Sequence, residues 1–316
     1  MSIEVANRLH TVEEYYFSKK LREVATLAAK GNPVINMGIG SPDIEPPTQV
    51  VEALKSSLSM ATAHKYQSYQ GLPEFRMAIA DFYKNKYKVE VNHNNQILPL
   101  MGSKEGIMHI SMAFLNEGDQ ALIPNPGYPT YTSVTRLVGA EPLFYDLSAA
   151  KGWLPDLKKL EKLDLSKVKL MWVNYPHMPT GVSATARFFS ELISFAKKYD
   201  ILIVNDNPYS FILNDVPMSL LTQAKNNDPV MELNSLSKTF NMAGWRVGMV
   251  LGKAEIIKTI LQVKSNMDSG MFYGIQKGAI AALSLSNEWF EKQDEIYKKR
   301  RAIVWRIFDQ LNCTYS

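Results

Sequence analysis

Along this chain, short runs of apolar residues break off into loops of glycine, proline, serine and asparagine, and helical patterns follow them. Ile201-Leu202-Ile203-Val204, followed by Asn205-Asp206, is the plainest case. A strand that is apolar at every position, rather than at alternate ones, is covered on both faces, and such strands belong to parallel sheets flanked by helices. The stretches 97–101, 120–123, 169–173 and 230–233 read as further strands of the same sheet. An α/β fold follows, with a mainly parallel sheet and helices on both faces. Ligands of such sheets bind outside the carboxyl ends of the strands, which directs attention to the residues just after each run.

With 316 residues the chain exceeds the usual single-domain size. Its net charge of +4 is small, and the one basic run, Lys298-Lys299-Arg300-Arg301, lies in a helical pattern that also carries glutamates. That run reads as a solvated helix face, not a nucleic-acid patch. The single cysteine, Cys313, cannot form an internal disulfide and suits a reducing cytoplasm. No run of 18 apolar residues and no signal-peptide core occurs, so a cytoplasmic location is expected, without membrane or nucleic-acid partners. The five histidines are scattered, and no spacing of histidine, cysteine and carboxylate suggests a metal site.

Residues 11–30 carry apolar side chains at helical spacing (Val12, Tyr15, Tyr16, Leu21, Val24, Leu27), and Gly31-Asn32-Pro33 stops them. A short strand is expected from Val34, then a glycine-containing turn through Gly40 and Ser41-Pro42-Asp43. The strand ending at Gly102-Ser103-Lys104 passes directly into a helix, which puts free N–H groups, a hydroxyl and the positive end of a helix dipole at one point: a phosphate cup. Three prolines stiffen the loop 124–131, and the proline-rich loop of 174–181 ends another strand. A helix over Leu157–Leu163 and one over Ala184–Tyr199 flank that strand. Asp206 emerges at the end of its strand, where on chemistry alone it is either a ligand group or a helix cap. The stretch Ser235-Leu236-Ser237-Lys238 places a lone amine between hydroxyls in a loop, with Arg246 and two glycines close behind. Such an amine is suited to Schiff-base formation beside an anion such as a phosphate.

These motifs, in this order, resemble the class I/II aminotransferases, the fold-type I enzymes that depend on pyridoxal 5'-phosphate. The resemblance implies that Lys238 carries the cofactor, that Asp206 pairs with its pyridine nitrogen, that Tyr209 bonds its phenolic oxygen and that Tyr128 stacks on its ring. Gly102, Ser103, Lys104, Ser235 and Arg246 would hold the phosphate, and Asn174 belongs to the same signature, Asn174 to Gly181. Tyr66, in a Tyr-x4-Gly-x4-Arg pattern with Gly71 and Arg76, would reach the phosphate of a neighbouring subunit's cofactor in a homodimer with shared sites. Ile39 and Gly40 would lie against the substrate carboxylate. Met178 departs from the pattern: most members have an asparagine there, and methionine donates no hydrogen bond.

The activity implied is amine transfer between an L-amino acid and a 2-oxo acid by a ping-pong route. A lyase on the same fold is the alternative, and a non-catalytic cofactor-binding protein a more remote one. The expected division is a large domain over 46–285, with 1–45 and 286–316 belonging to a small domain. The helical pattern of 287–311 carries a broad apolar face (Phe290, Ile303, Val304, Ile307, Leu311) that little of the remaining sequence can cover. The small α/β domain therefore reads as incomplete, and an arginine that the family uses for the substrate α-carboxylate has no match here.

Overall fold

The structure is a computed structural model that describes residues 3–31, 33–225 and 227–315, so Asn32 of the predicted helix stop lies outside the described residues. The elements in chain order are α1 (Tyr16–Ala29), α2 (Thr48–Ser57), α3 (Pro73–Tyr87), β1 (Ile97–Leu100), α4 (Ser103–Phe114), β2 (Gln120–Asn125), α5 (Pro129–Leu137) and β3 (Glu141–Asp146). After these come α6 (Leu157–Leu160), β4 (Val168–Asn174), α7 (Ala186–Tyr199), β5 (Leu202–Asp206), β6 (Val230–Ser235), α8 (Leu236–Thr239), β7 (Gly248–Gly252), α9 (Ala254–Lys264), α10 (Tyr273–Leu283) and α11 (Asn287–Gln310).

The seven strands form one sheet in the order β1-β7-β6-β5-β4-β2-β3. Every pairing is parallel except the two made by β7. Strands β5, β6 and β7 are almost wholly buried, which accounts for their predominantly apolar side chains; Glu232 in β6 is the exception inside the run. On one face Leu170, Trp172, Val204, Met231 and Leu233 pack against Ile107 and Ile110 of α4, Tyr131 of α5 and Ile260 of α9. On the other, Met171, Val173 and Ile203 meet Phe188, Phe189 and Leu192 of α7, while Met249 and Leu251 meet Phe75, Ile79 and Tyr83 of α3. Helix α7 has an apolar stripe at 3.6-residue spacing; the Thr185 hydroxyl accepts the Phe188 N–H at its start, and Asp200 ends it in the left-handed conformation.

Three local expectations differ from the structure. Residues from Val34 pair with no strand of the sheet, and Ile35 and Met37 are about nine-tenths exposed. Without a ladder partner an apolar run stays irregular. Strand β2 runs two residues further than expected, through Pro124 to Asn125, because β3 continues beside it. Helix α6 stops after one turn, held at its start by Asp156 accepting the Lys159 N–H.

The fold also gathers a cluster whose third member lies far off in the sequence. Glu105 and His109 on α4 meet Asp268 after α9, with ligand atoms within 4.8 Å of one another. The Lys264 ammonium, itself buried, already binds Asp268, and His109 Nε2 stands 3.1 Å from Glu105, so this polar cluster ties α4 to the end of α9. At the periphery, the described residues before Val50 include none that is buried. Helix α11 buries Phe290 and Gln293, whereas Ile303, Val304, Ile307 and Leu311 are each more than two-fifths exposed.

Candidate active site

Strands β1, β2, β4, β5 and β6 all run the same way, which brings Gly102, Tyr128, Asn174, Asp206 and Lys238 to one edge of the sheet. The antiparallel β7 starts at that edge, with Gly248 opposite Ser235, and this carries Arg246 to the same place. One reversed strand thus supplies a cation where parallel strands end.

The cup is shaped by two glycines. Gly102 has φ +90°, and a Cβ on it would overlap the Arg246 guanidinium. A Cβ on Gly248 would come within 2.9 Å of the Ser103 nitrogen and 2.8 Å of the Gly102 carbonyl carbon. Only glycines let the start of α4 press against β6, β7 and Arg246. No side chain caps α4, so its first N–H groups face the cup, together with the Ser103 hydroxyl, which donates to the Asn234 carbonyl at 3.3 Å. Ser235, the last residue of β6, accepts the Ser237 N–H at 3.0 Å and lies 2.8 Å from the Ser237 hydroxyl. These hydroxyls, amides and Arg246 form a donor set suited to a phosphate dianion.

Lys238 sits in the one-turn helix α8, not in the loop expected, because Ser235 caps that turn directly at the strand end. Its ammonium donates to the Gly40 carbonyl, which brings the 34–47 segment over the site. Burial, and then the charge of Arg246, lower its pKa, favouring the neutral amine that covalent chemistry needs. Lys104 is also lowered by burial and Arg246, and its ammonium stands 3.9 Å from the centre of the Tyr15 ring.

Asp206 is buried, and its two oxygens differ. Oδ2 accepts the Tyr131 hydroxyl at 2.8 Å; Oδ1 has no hydrogen-bond partner among the described residues. Burial pushes the carboxyl up to about 7, against the hydrogen bond from Tyr131 and with a smaller contribution from the charge of Glu232. Tyr131 is itself locked by a stack on Trp172, 5.0 Å between centres and 9° between planes. Asn174 donates to the Asp206 carbonyl at 2.6 Å and accepts the Met178 N–H at 2.8 Å. Its amide is thus bonded to backbone at both its oxygen and its nitrogen. Tyr209, pushed up to about 12 mainly by burial, and Tyr128, edge-on to Tyr131 at 5.5 Å, complete the floor.

A buried carboxylate oxygen left without a donor is costly, and here it lies at the same edge of the sheet as a lowered lysine and an anion cup. A planar cofactor with a ring N–H, a phosphate and an aldehyde matches all three.

Two site residues went unread in the sequence. Tyr131 lies 75 positions from Asp206, at the end of the proline loop, with no local pattern to link the two. Tyr15 was read as one apolar helix position, yet burial and the nearby Tyr128 hydroxyl push its phenol well above the usual range. Of the predicted residues, Ile39 is 42% exposed beside Gly40, and Tyr66 is 91% exposed, outside the Lys238 cluster within this chain.

The family model for aminotransferase class I and II matches residues 32–315. The chain is similar to LL-diaminopimelate aminotransferase of Aquifex aeolicus, 38% identical over 310 residues that cover 98% of this chain and 80% of the relative. It is likewise similar to the enzyme of that name from Halothermothrix orenii, 39% identical over 304 residues, covering 96% and 78%. Among solved structures, substrate-bound BacF from Bacillus subtilis superposes with a TM-score of 0.92 at 36% identity, covering 98% of this chain and 79% of that one. Thermus thermophilus aspartate aminotransferase with maleate has a TM-score of 0.92 at 23% identity, a likeness of fold. The chain therefore belongs to the class I and II aminotransferases, fold-type I transaminases that depend on pyridoxal phosphate and exchange amino groups between amino acids and 2-oxo acids.

Proposed function

We propose that this aminotransferase takes LL-diaminopimelate as amino donor and 2-oxoglutarate as acceptor, with Lys238, Asp206 and Tyr209 as its catalytic residues. The donor rests on the relatives at 37–39% identity that carry that name. The catalytic roles rest on one observation above the others: the donor-less Oδ1 of Asp206, at the end of β5 on the same edge of the sheet as Lys238.

Lys238 Nζ would be the attachment point for the cofactor and, when free, the base that moves the proton at the substrate α-carbon. Its hydrogen bond to the Gly40 carbonyl holds it in place, and burial beside Arg246 favours its neutral form. Gly102, Ser103, Lys104, Ser235 and Arg246 would hold the phosphate, and Tyr128 would cover the ring. Bound there, pyridoxal phosphate supplies an electron-accepting ring for the pair left at the α-carbon. Asp206 Oδ1, which has no partner among the described residues, would accept the ring N–H. Tyr209 is the side-chain donor left for the phenolic oxygen, since Met178 offers none. Ile39 and Gly40 border the substrate, and Tyr15 with Lys104 walls its far side. The small charge and lone cysteine support a cytoplasmic place for this chemistry.

The test is a panel of amino donors against 2-oxoglutarate, with ammonia and carbon dioxide release followed in parallel. LL-Diaminopimelate should exceed aspartate, alanine and aromatic donors in kcat/KM by at least about tenfold, about 1.4 kcal/mol of differential transition-state binding. A preference for another donor sinks the substrate assignment.

The working unit in this reading is a homodimer with shared sites, supported by the outward, 91% exposed Tyr66. Mixing Lys238→Ala with Tyr66→Phe, once each is shown to be impaired, should restore up to roughly a quarter of the activity through hybrid dimers that keep one intact site. No recovery despite proven subunit exchange counts against sharing.

A further inference from the structure

Glu232 is fully buried in the middle of β6, and its hydrogen bonds come from neutral groups. Oε1 accepts the Tyr83 hydroxyl at 2.9 Å and the Asn207 amide at 3.2 Å; Oε2 accepts the Asn205 amide at 3.2 Å and the Leu220 N–H at 2.8 Å. The direction of each bond is fixed by its other end. Tyr83 accepts from Asn234 at 3.0 Å, so its hydrogen goes to Glu232. Asn205 accepts the Tyr175 N–H at 3.0 Å through Oδ1, which turns its NH2 to Glu232. Asn207 spends its NH2 on Glu232 and on the Met218 carbonyl. A protonated carboxyl would set its own O–H against one of four donors, so this cage holds an anion although burial opposes it.

Asn205 faces Glu232 across β5 and β6, and Asp206 faces Leu233 one step on. Successive side chains alternate, so Asp206 emerges on the cofactor side while Glu232 lies on the reverse side of the same sheet. The titratable groups facing Asp206 are Tyr131 and Tyr128 from α5 and its cap, Tyr209 after β5, and Glu232; those facing Glu232 are Tyr83 and Tyr87 of α3. Apart from Glu232 all are phenols.

We propose that Glu232 is a positioning residue whose caged negative charge, behind the sheet, keeps a proton on the pair formed by Asp206 and the cofactor's ring nitrogen. This rests on the reading of Asp206 as partner of that nitrogen. The fixed anion disfavours a second negative charge on Asp206 and favours a positive ring beside it, through protein and not through water.

The test starts with the apoprotein labelled at aspartate 13Cγ and glutamate 13Cδ, with the Asp206 signal identified by its loss in Asp206→Asn. Glu232→Gln should lower the Asp206 midpoint by about one pH unit, the lower end of what a nearby buried charge imposes. Tyr83→Phe removes one donor but keeps the charge, and should leave that midpoint within about 0.3 unit. In the loaded enzyme the alkaline limb of the kcat/KM profile should fall by about the same unit in Glu232→Gln and stay in Tyr83→Phe. An unmoved Asp206 midpoint in folded Glu232→Gln overturns the proposal. If that variant does not fold, a parent glutamate signal that responds to Tyr83→Phe and titrates at or above the Asp206 midpoint overturns it instead. A shift in the apoprotein without one in the loaded enzyme supports the coupling and overturns the ring-nitrogen role of Asp206.

Discussion

Lys238→Ala is expected to lower amine transfer by about 10⁴-fold, the upper end of what a positioned general base contributes. The variant loses the proton carrier at the substrate α-carbon together with the covalent anchor. Ser235, Ser237 and the α8 turn should survive, because their hydrogen bonds do not pass through the lysine. Cofactor affinity should therefore fall less than turnover. In the parent protein, borohydride reduction followed by peptide mapping should label the peptide that contains Lys238. Lys104 is the serious competitor: it also has a lowered pKa and also neighbours Arg246. A label on Lys104, or near-parental turnover in Lys238→Ala, ends the assignment.

Four of the residues read from the sequence share one property: each follows an apolar run within five positions. Parallel strands deliver their ends to one edge, so Gly102, Asn174, Asp206 and Lys238 could be placed together before any contact was known. Arg246 arrives by a different route, on the antiparallel β7, and its position was carried by the motif and not by the sheet argument. Tyr131, which holds Asp206, was hidden because a hydrogen bond over 75 positions leaves no local period. Tyr15 was hidden for the opposite reason: it fitted a helical period too well, and its polar end was ignored. The Glu105, His109 and Asp268 cluster joins two helices separated by most of the sheet in sequence, although the i, i+4 pair on α4 was there to be read. Glu232 broke the apolar run of its own strand. In a strand buried on both faces such a residue must find donors, and that rule would have marked it.

Asp206→Ala, with cofactor still bound through Lys238 and the phosphate cup, is expected to lose turnover by several orders of magnitude. A carboxylate at hydrogen-bond distance typically favours a partner's cation by 1 to 3 pKa units, roughly 1.4 to 4 kcal/mol, and that margin decides whether the ring is protonated at neutral pH. Near-parental turnover would assign the electron sink to another group. The same residue leaves a signature that needs no cofactor. Burial raises Asp206 from an ordinary value of 3.8 to about 7. Between these values the folded apoprotein binds a proton that the unfolded chain has released, so this contribution is fully present below pH 3.8 and is lost as pH rises through 7. The full swing is about 4 kcal/mol. Relative to Asp206→Asn, whose side chain does not titrate, the parent apoprotein should therefore lose stability between pH 4 and 8, read as converging or crossing urea midpoints. Parallel midpoints across that range would mean that Asp206 is ionised before the cofactor arrives, and the unpartnered Oδ1 would then have to be satisfied by the protein itself.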